Sequence, residues 1–481
     1  MPPTVPLLLS SAGRSLSVIL QLIHATMSRP LSAALSFLFW YRAVVIATEN
    51  SFPFEHIRFD TYHKTWNDFS RSEVDGGGSS LHAFREAFPG LSSHSSIIKG
   101  QRAARFQTHD VRFFVKKRNI DEVERLLNDV SYPSSANYGK HMTHQEVVHL
   151  TSNPESYREV VEYLAAAGAT IIPYDKLGEC VTARASIGLW ERILNTEFHS
   201  YSMTPFSANE DLSHQTRDKA ITVLRADKYS IPVDIDSHVS YAYNVVDIPF
   251  KISMIPKPAH TVVESFDSSS SSRFAEETRT YYPYMSPDLL RRNYNNDNVL
   301  GHPLATQAAL ELYDQWYCPP DNTAFQKLFA LTFANASKVT ASRIATQAEC
   351  RAFTKENCVE SNVDMSFLMA MANVPTIHDW FGGDTIPQYL EHLIAKDTQP
   401  PLMISISYSQ EEWWISSGEK QRFSENAMSL GLMGSTIVAS SGDNGCLSRS
   451  VKYDLNSCRY RPLHPASDPY VLSVGATQVG N

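Results

Sequence analysis

Two acidic side chains one helical turn apart, Glu360 and Asp364, stand in the segment Glu360 to Val374. At about 100° per residue, Asn362, Ser366 and Asn373 share one face, while both acids fall on the other side among Phe367, Leu368 and Met371. Carboxylates aimed where apolar side chains point need a partner or a raised pKa, because burying an unpaired charge is costly. A Glu four residues before an Asp is also common on exposed helices, and the inward placement is what sets this pair apart. A third acid, Asp443, lies in Ser441-Gly442-Asp443-Asn444-Gly445, which is equally a good turn sequence. Three carboxylates meeting at one edge of a sheet would supply a base, a relay and a neutral donor.

The elements that would position them can be read from hydrophobic period. Leu402 to Tyr408 and Ser435 to Ser440 are β-branched runs suited to buried strands, with a helical stretch Glu419 to Leu430 between them. Strand, helix, strand in that order implies a right-handed crossover and a parallel sheet, extended by Val471 to Val474. Ligands gather beyond the carboxyl ends of such strands, where Ser441 to Gly445 would sit. Earlier in the chain, Val111 to Val115 reads as a strand, and Asn119 with Glu122 opens an amphipathic helix through Leu127. Thr143-His144-Gln145-Glu146 is a capping box, and Glu155 to Ala167 is a helix stopped by Gly168. Ala169 to Pro173, Val181 to Ala183 and Glu197 to Tyr201 read as further strands of a two-layer α+β unit.

The 481 residues suit two to three domains, and a net charge of 42 − 51 = −9 argues against a phosphate-tracking nucleic-acid binder. No apolar run is long enough for a multi-pass membrane protein. The reading divides the chain into a signal peptide or anchor (1–48), a loosely structured lead-in (49–99), an α+β unit (100–255), a serine-rich linker (256–280) and a parallel-sheet domain (281–481). Met27 onward gives a short basic segment, the apolar run Leu31 to Tyr41 and a small residue at Ala47, as in a secretory signal. Cys350/Cys358 and Cys446/Cys458 are close pairs that either close short loops by disulfides or remain buried thiols. The sequon Asn335-Ala336-Ser337 fits a secreted route. The 17 histidines show no HExxH or other ligand spacing.

Taken in order, the motifs resemble the sedolisin family of serine-carboxyl peptidases. Tyr138-Gly139-Lys140-His141-Met142-Thr143 is similar to the hallmark of its activation pro-domain, and Ser286-Pro287-x-Leu289-Leu290 to the start of its mature peptidase. Glu360-x-x-x-Asp364, Ser405-Ile406-Ser407-Tyr408, Ala439-Ser440-Ser441-Gly442-Asp443 and Pro465-Ala466-x-x-Pro469-Tyr470 continue the series. The resemblance implies a subtilisin-like parallel-sheet α/β peptidase domain preceded by an α+β two-layer pro-domain that inhibits it intramolecularly. It implies Glu360 as general base toward a serine, Asp364 as the group that holds Glu360, and Asp443 as protonated oxyanion donor. Ser407, Tyr408 and Ser409 would border the substrate channel, with Ser409 replacing the family's usual Gly. A carboxylate base suits acidic pH, hence a peptide or protein substrate met in a secreted, lysosomal or vacuolar lumen.

Two departures accompany it. The family's nucleophile segment, Ser-Gly-Thr-Ser-x-Ser-x-Pro, does not occur before Asn481. No GxSxG replaces it. The polypeptide is therefore expected not to cleave peptides, as a truncated form rather than an evolved pseudoenzyme. No cofactor is expected, the family's calcium site lying in the carboxyl-terminal part beyond it. The competing reading is a non-catalytic protein whose pro-domain chaperones or inhibits a related peptidase. A histidine-based subtilase is disfavoured, because no His-Gly-Thr segment occurs.

Overall fold

The computed structural model describes residues 82–87, 97–173, 177–203, 221–247, 286–296, 301–302, 304–312, 315–331, 339–352, 358–383, 385–396, 398–442 and 462–476. The amino-terminal segment, the serine run Ser268 to Ser272, Asn335, Asp443, Cys446 and Cys458 lie outside them. Every element named below lies within one contact unit, 76–299 with 306–481.

In the amino-terminal half the order is β1 (His82–Ala87), β2 (Ile97–Arg102), β3 (Thr108–Val115), α1 (Ile120–Ser131), α2 (His144–Thr151), α3 (Pro154–Ala166), β4 (Thr170–Ile172) and β5 (Cys180–Ser186). It continues with α4 (Ile187–Ile193), β6 (Phe198–Met203), β7 (Ile221–Ala226), β8 (Lys228–Pro232), α5 (Val233–Asp236) and β9 (Val239–Tyr243). An antiparallel sheet runs β4-β5-β3-β9, a second β2-β6-β7, and β1 pairs with β8. Val111, Phe113, Val181, Ala183, Trp190 and Phe198 fill the core between the layers. The lead-in expected to be loosely structured contributes β1 and β2. Their pairing partners, β8 and β6, lie more than 90 residues downstream in sequence, so no local period announces them.

Local signals fare unequally. Thr143 caps α2 as expected: its Oγ1 accepts from the Glu146 N–H, and Glu146 accepts from the Thr143 N–H at 2.8 Å. Asn119 does not cap α1 with its side chain. Its backbone is left-handed (φ 56°), and its Nδ2 donates to the Leu150 carbonyl at 2.8 Å, tying α1 to α2 instead.

The second half comprises α6 (Pro287–Asn293), β10 (Gln307–Glu311), α7 (Pro319–Leu328), β11 (Val339–Ala341), α8 (Gln347–Ala352), α9 (Val359–Ala372) and β12 (Thr376–Trp380). After these come α10 (Ile386–Ile394), β13 (Met403–Ile406), β14 (Gln410–Glu411), α11 (Ser417–Leu432), β15 (Thr436–Ser440), β16 (Leu463–His464) and β17 (Leu472–Val474). A six-stranded sheet runs β11-β12-β10-β13-β15-β17, and each of its pairings is parallel. The β13–α11–β15 crossover is the one read from sequence. The fold is thus an α/β parallel-sheet domain preceded by an α+β module. One core joins them: Val123, Val130 and Val147 of α1 and α2 are buried in the same cluster as Ile404, Phe423 and Leu430.

Candidate active site

Helix α9 carries the acid pair across the sheet end. Its fully buried stripe is Ser361, Met365, Ser366, Met369 and Ala370, with Met365 and Met369 packed on Ala309 and Tyr317. Glu360, Asp364, Phe367, Leu368 and Met371 are all half-buried. The acids share their half-buried side with Phe367, Leu368 and Met371 as expected, but the fully buried seam runs along the other side of the helix, where Ser366 lies. The seam itself takes small polar residues, because Ser366 Oγ can donate to the buried Asn322 Oδ1 at 3.3 Å.

The start of α9 is fixed from outside. Cys358 precedes it with φ 66° and gives no side-chain cap. Instead Gln315 Oε1 accepts the Glu360 N–H at 2.9 Å, capping the helix from a segment 45 residues earlier. Cys358 is also joined by a disulfide to Cys350, so two constraints meet beside Glu360. Cys180 and Cys318 are buried and take no part in that disulfide. One turn along, Ser407 Oγ donates to Asp364 Oδ2 at 2.7 Å. Ser407 follows β13, so this bond links the helix to the carboxyl end of the sheet.

Beneath it, the Tyr408 hydroxyl donates to Glu311 Oε2 at 2.8 Å, both residues being buried. Burial, and then the charge of Glu311, push the Tyr408 phenol well above its ordinary value, keeping it a neutral donor. Tyr408 thus turns its ring into the core, while the half-buried Ser407 and Ser409 stay near the surface. Ser441 and Gly442 follow β15, where Ser441 N–H donates to Val474 O at 2.9 Å and Gly442 has φ 93°. A Cβ on Gly442 would also lie 2.3 Å from Leu463 Cδ1. The backbone at Gly442 thus takes a conformation that favours glycine. Sequence reasoning missed Gln315 and Glu311, and nothing in their local pattern marks either.

Among the described residues no group of three or more His, Cys, Asp or Glu side chains is placed to hold a metal ion. No described helix is long and apolar enough to cross a membrane.

A family model, the Pro-kumamolisin activation domain, matches residues 95–247. Tripeptidyl-peptidase 1 of Homo sapiens is 28% identical over 384 residues, covering 76% of this chain and 61% of the relative. That of Canis lupus familiaris is 27% identical over 381 residues, covering 77% and 61%. The chain is thus similar to tripeptidyl-peptidase 1 over most of its own length and spans about 61% of the length of these relatives. A solved structure of Pseudomonas sedolisin (serine-carboxyl proteinase), complexed with two molecules of pseudo-iodotyrostatin, aligns at 15% identity with a TM-score of 0.28. It covers 39% of this chain and 52% of that one. The matched activation domain contains β2 to β9 and the two helices that share the core of the parallel-sheet domain.

Proposed function

We propose that this chain supplies the pro-segment and the acid pair of an acid-acting serine-carboxyl peptidase with tripeptidyl-peptidase-like action on peptide or protein substrates. Glu360 takes the proton from a serine nucleophile, Asp364 orients Glu360, and Asp443, kept protonated, donates to the developing oxyanion. The observation that supports it best is the tether between Ser407 and Asp364, which fixes the acid pair at the carboxyl end of a parallel sheet. Ser407 and Ser409 border the channel, and residues 97–247 act as the intramolecular inhibitor. We assign no cofactor to these residues. A Cys350–Cys358 disulfide suits an oxidising lumen, and a carboxylate base suits an acidic one.

The segment expected to carry the attacking serine, Ser-Gly-Thr-Ser-x-Ser-x-Pro, does not occur among these 481 residues, and we propose that turnover needs a serine they do not supply. Sequencing the transcript past codon 481, then assaying the encoded protein on a fluorogenic tripeptide with a free amino terminus, tests the reading. Glu360→Gln should cost roughly a hundredfold or more in kcat at acidic pH, with the substrate still bound. Full activity of that variant, or robust self-cleavage by the 481-residue polypeptide, would overturn the assignment. A stop codon there with no activity would leave the non-catalytic binding role.

A further inference from the structure

The pro-segment and the sheet domain meet over a buried cluster of charges. Arg422, on α11, is fully buried; its Nη2 donates to Glu179 Oε2 of the pro-segment at 2.6 Å and its Nε to Glu391 Oε1 of α10 at 2.8 Å. Glu425 Oε2 lies 3.6 Å from Nη1. Lys117, just past β3, is equally buried, and its Nζ stands 3.1 Å from Glu179 Oε1. Phe114 lies under the guanidinium at 5.6 Å and stacks on Tyr241. Arg112 of β3 acts on Glu391 from the same side.

The charges divide unevenly across the boundary. The pro-segment brings Lys117, Arg112 and a single acid, Glu179; the sheet domain brings Arg422 and two acids, Glu391 and Glu425. Among the described residues of this cluster, Glu179 alone is ion-paired at contact distance to a cation from each half; Glu391 is paired with Arg422 and feels Arg112 without an ion pair to it. Protonating it leaves Lys117 buried with its ion-pair partner gone, the more distant Glu425 being the other acid that acts on it. A buried ammonium without its counter-ion strongly destabilises the state that buries it. The same loss at Glu391 leaves Arg422 with Glu179 and Glu425.

We infer that Glu179 is the release latch of the pro-segment: its carboxylate holds the two halves together, and taking up one proton there loosens them. This rests on the reading of residues 97–247 as a pro-segment. The electrostatics of the two acids agree in sign with that assignment. Burial opposes ionisation of Glu179, but Lys117 and Arg422 outweigh it and hold its pKa below the ordinary 4.5. The contribution of Glu179 to docking is therefore present above 4.5 and lost as the pH falls through its lowered value. Burial raises Glu391, so protonation there favours the docked state and works against release.

One amide reads docking directly, because the Met142 N–H of the pro-segment donates to Leu432 O of the sheet domain at 2.9 Å. Hydrogen exchange of the full chain, corrected for the intrinsic pH dependence, should show Met142 protected at pH 7 and losing protection as carboxylates titrate. Glu179→Gln should cut that protection roughly tenfold or more at pH 7. Amides of the β3–β5 ladder should stay protected. Glu391→Gln should hold wild-type protection within about threefold. Adding Lys117→Met to Glu179→Gln should restore much of what the single variant loses. Unchanged Met142 protection in Glu179→Gln, an equal loss in Glu391→Gln, equal loss in the β3–β5 ladder, or no recovery in the double variant would each overturn the inference. Because no turnover is read, a failed catalytic assignment leaves this result standing, and the reverse holds too.

Discussion

Ser407 Oγ donates to Asp364 Oδ2 at 2.7 Å, so the residue after β13 decides where the second acid of α9 points. A helix can rotate a few degrees about its axis without losing its own hydrogen bonds. A cross-link from the sheet removes that freedom, and it does so at the position whose rotation would carry Glu360 with it. Gln315 fixes the same helix at its first turn.

Replacing Ser407 by Ala deletes the donor and leaves the half-buried carboxylate short of one hydrogen bond. Denaturant unfolding should show a loss of about 1–2 kcal/mol with an unchanged m-value. Ser407→Thr, which keeps the hydroxyl, should recover most of it. A Ser407→Ala protein as stable as wild type would mean that the bond does not hold α9.

The Cys350–Cys358 disulfide closes a loop with a sequence separation of 8 just before Glu360. Chain entropy alone gives such a closure about 2–3 kcal/mol. Replacing both cysteines by Ser should lower the unfolding midpoint accordingly and speed exchange of the Glu360 and Ser361 amides ahead of those in β10. Equal loosening of both would show that the disulfide supports the whole domain rather than the entry to α9.

These constraints mark what the sequence could and could not disclose. The crossover β13–α11–β15 was legible because a buried parallel strand is a run of β-branched residues and its helix carries a capping signal. The capping box at Thr143 was legible for the same local reason. Gln315 and Glu311 were not, because their roles depend on partners 45 and 97 residues away. In α9 the buried stripe falls on the side of the helix roughly opposite the apolar face that includes the acids: it is built from small and polar residues as well as Met365 and Met369, so counting apolar residues points to the wrong side.

At Gly418 the backbone of α11 packs tightly against Tyr241 of β9. A Cβ there would lie 2.3 Å from Tyr241 Cβ and 2.4 Å from Cγ, atoms that cannot swing aside. At Gly431 the corresponding neighbour is Leu127 Cδ1 at 2.8 Å, the end of a flexible side chain. Gly418→Ala should therefore destabilise docking by about 1–3 kcal/mol, with Met142 amide protection falling. Gly431→Ala should cost less, since Leu127 can change rotamer and alanine favours the helix. The opposite ranking would contradict the packing of β9 on α11.

Asp468 gives stability an unusual pH profile. It is buried, accepts from Ser424 Oγ at 2.5 Å and from the Tyr470 N–H at 2.9 Å, and burial pushes its pKa up to about 6 from an ordinary 3.8. A carboxyl raised on folding stabilises the native state fully below 3.8, and that contribution fades as the pH climbs through about 6. The span corresponds to a change on the order of 2–3 kcal/mol. His464 works in the other direction. Burial holds it neutral, with its pKa lowered from 6.5 to about 3, so its cost grows as the pH falls below 6.5. Asp468→Asn keeps an acceptor for Tyr470 and removes the ionisation, so it should raise the denaturant midpoint at pH 7 and change it little at pH 4. In that variant the cost of charging His464 is no longer offset by Asp468, and stability should fall more steeply than in wild type as the pH drops from 6.5 toward acid. If Asp468→Asn lowers stability at pH 7, the carboxylate is the form the fold requires and the assignment of a protonated Asp468 is wrong.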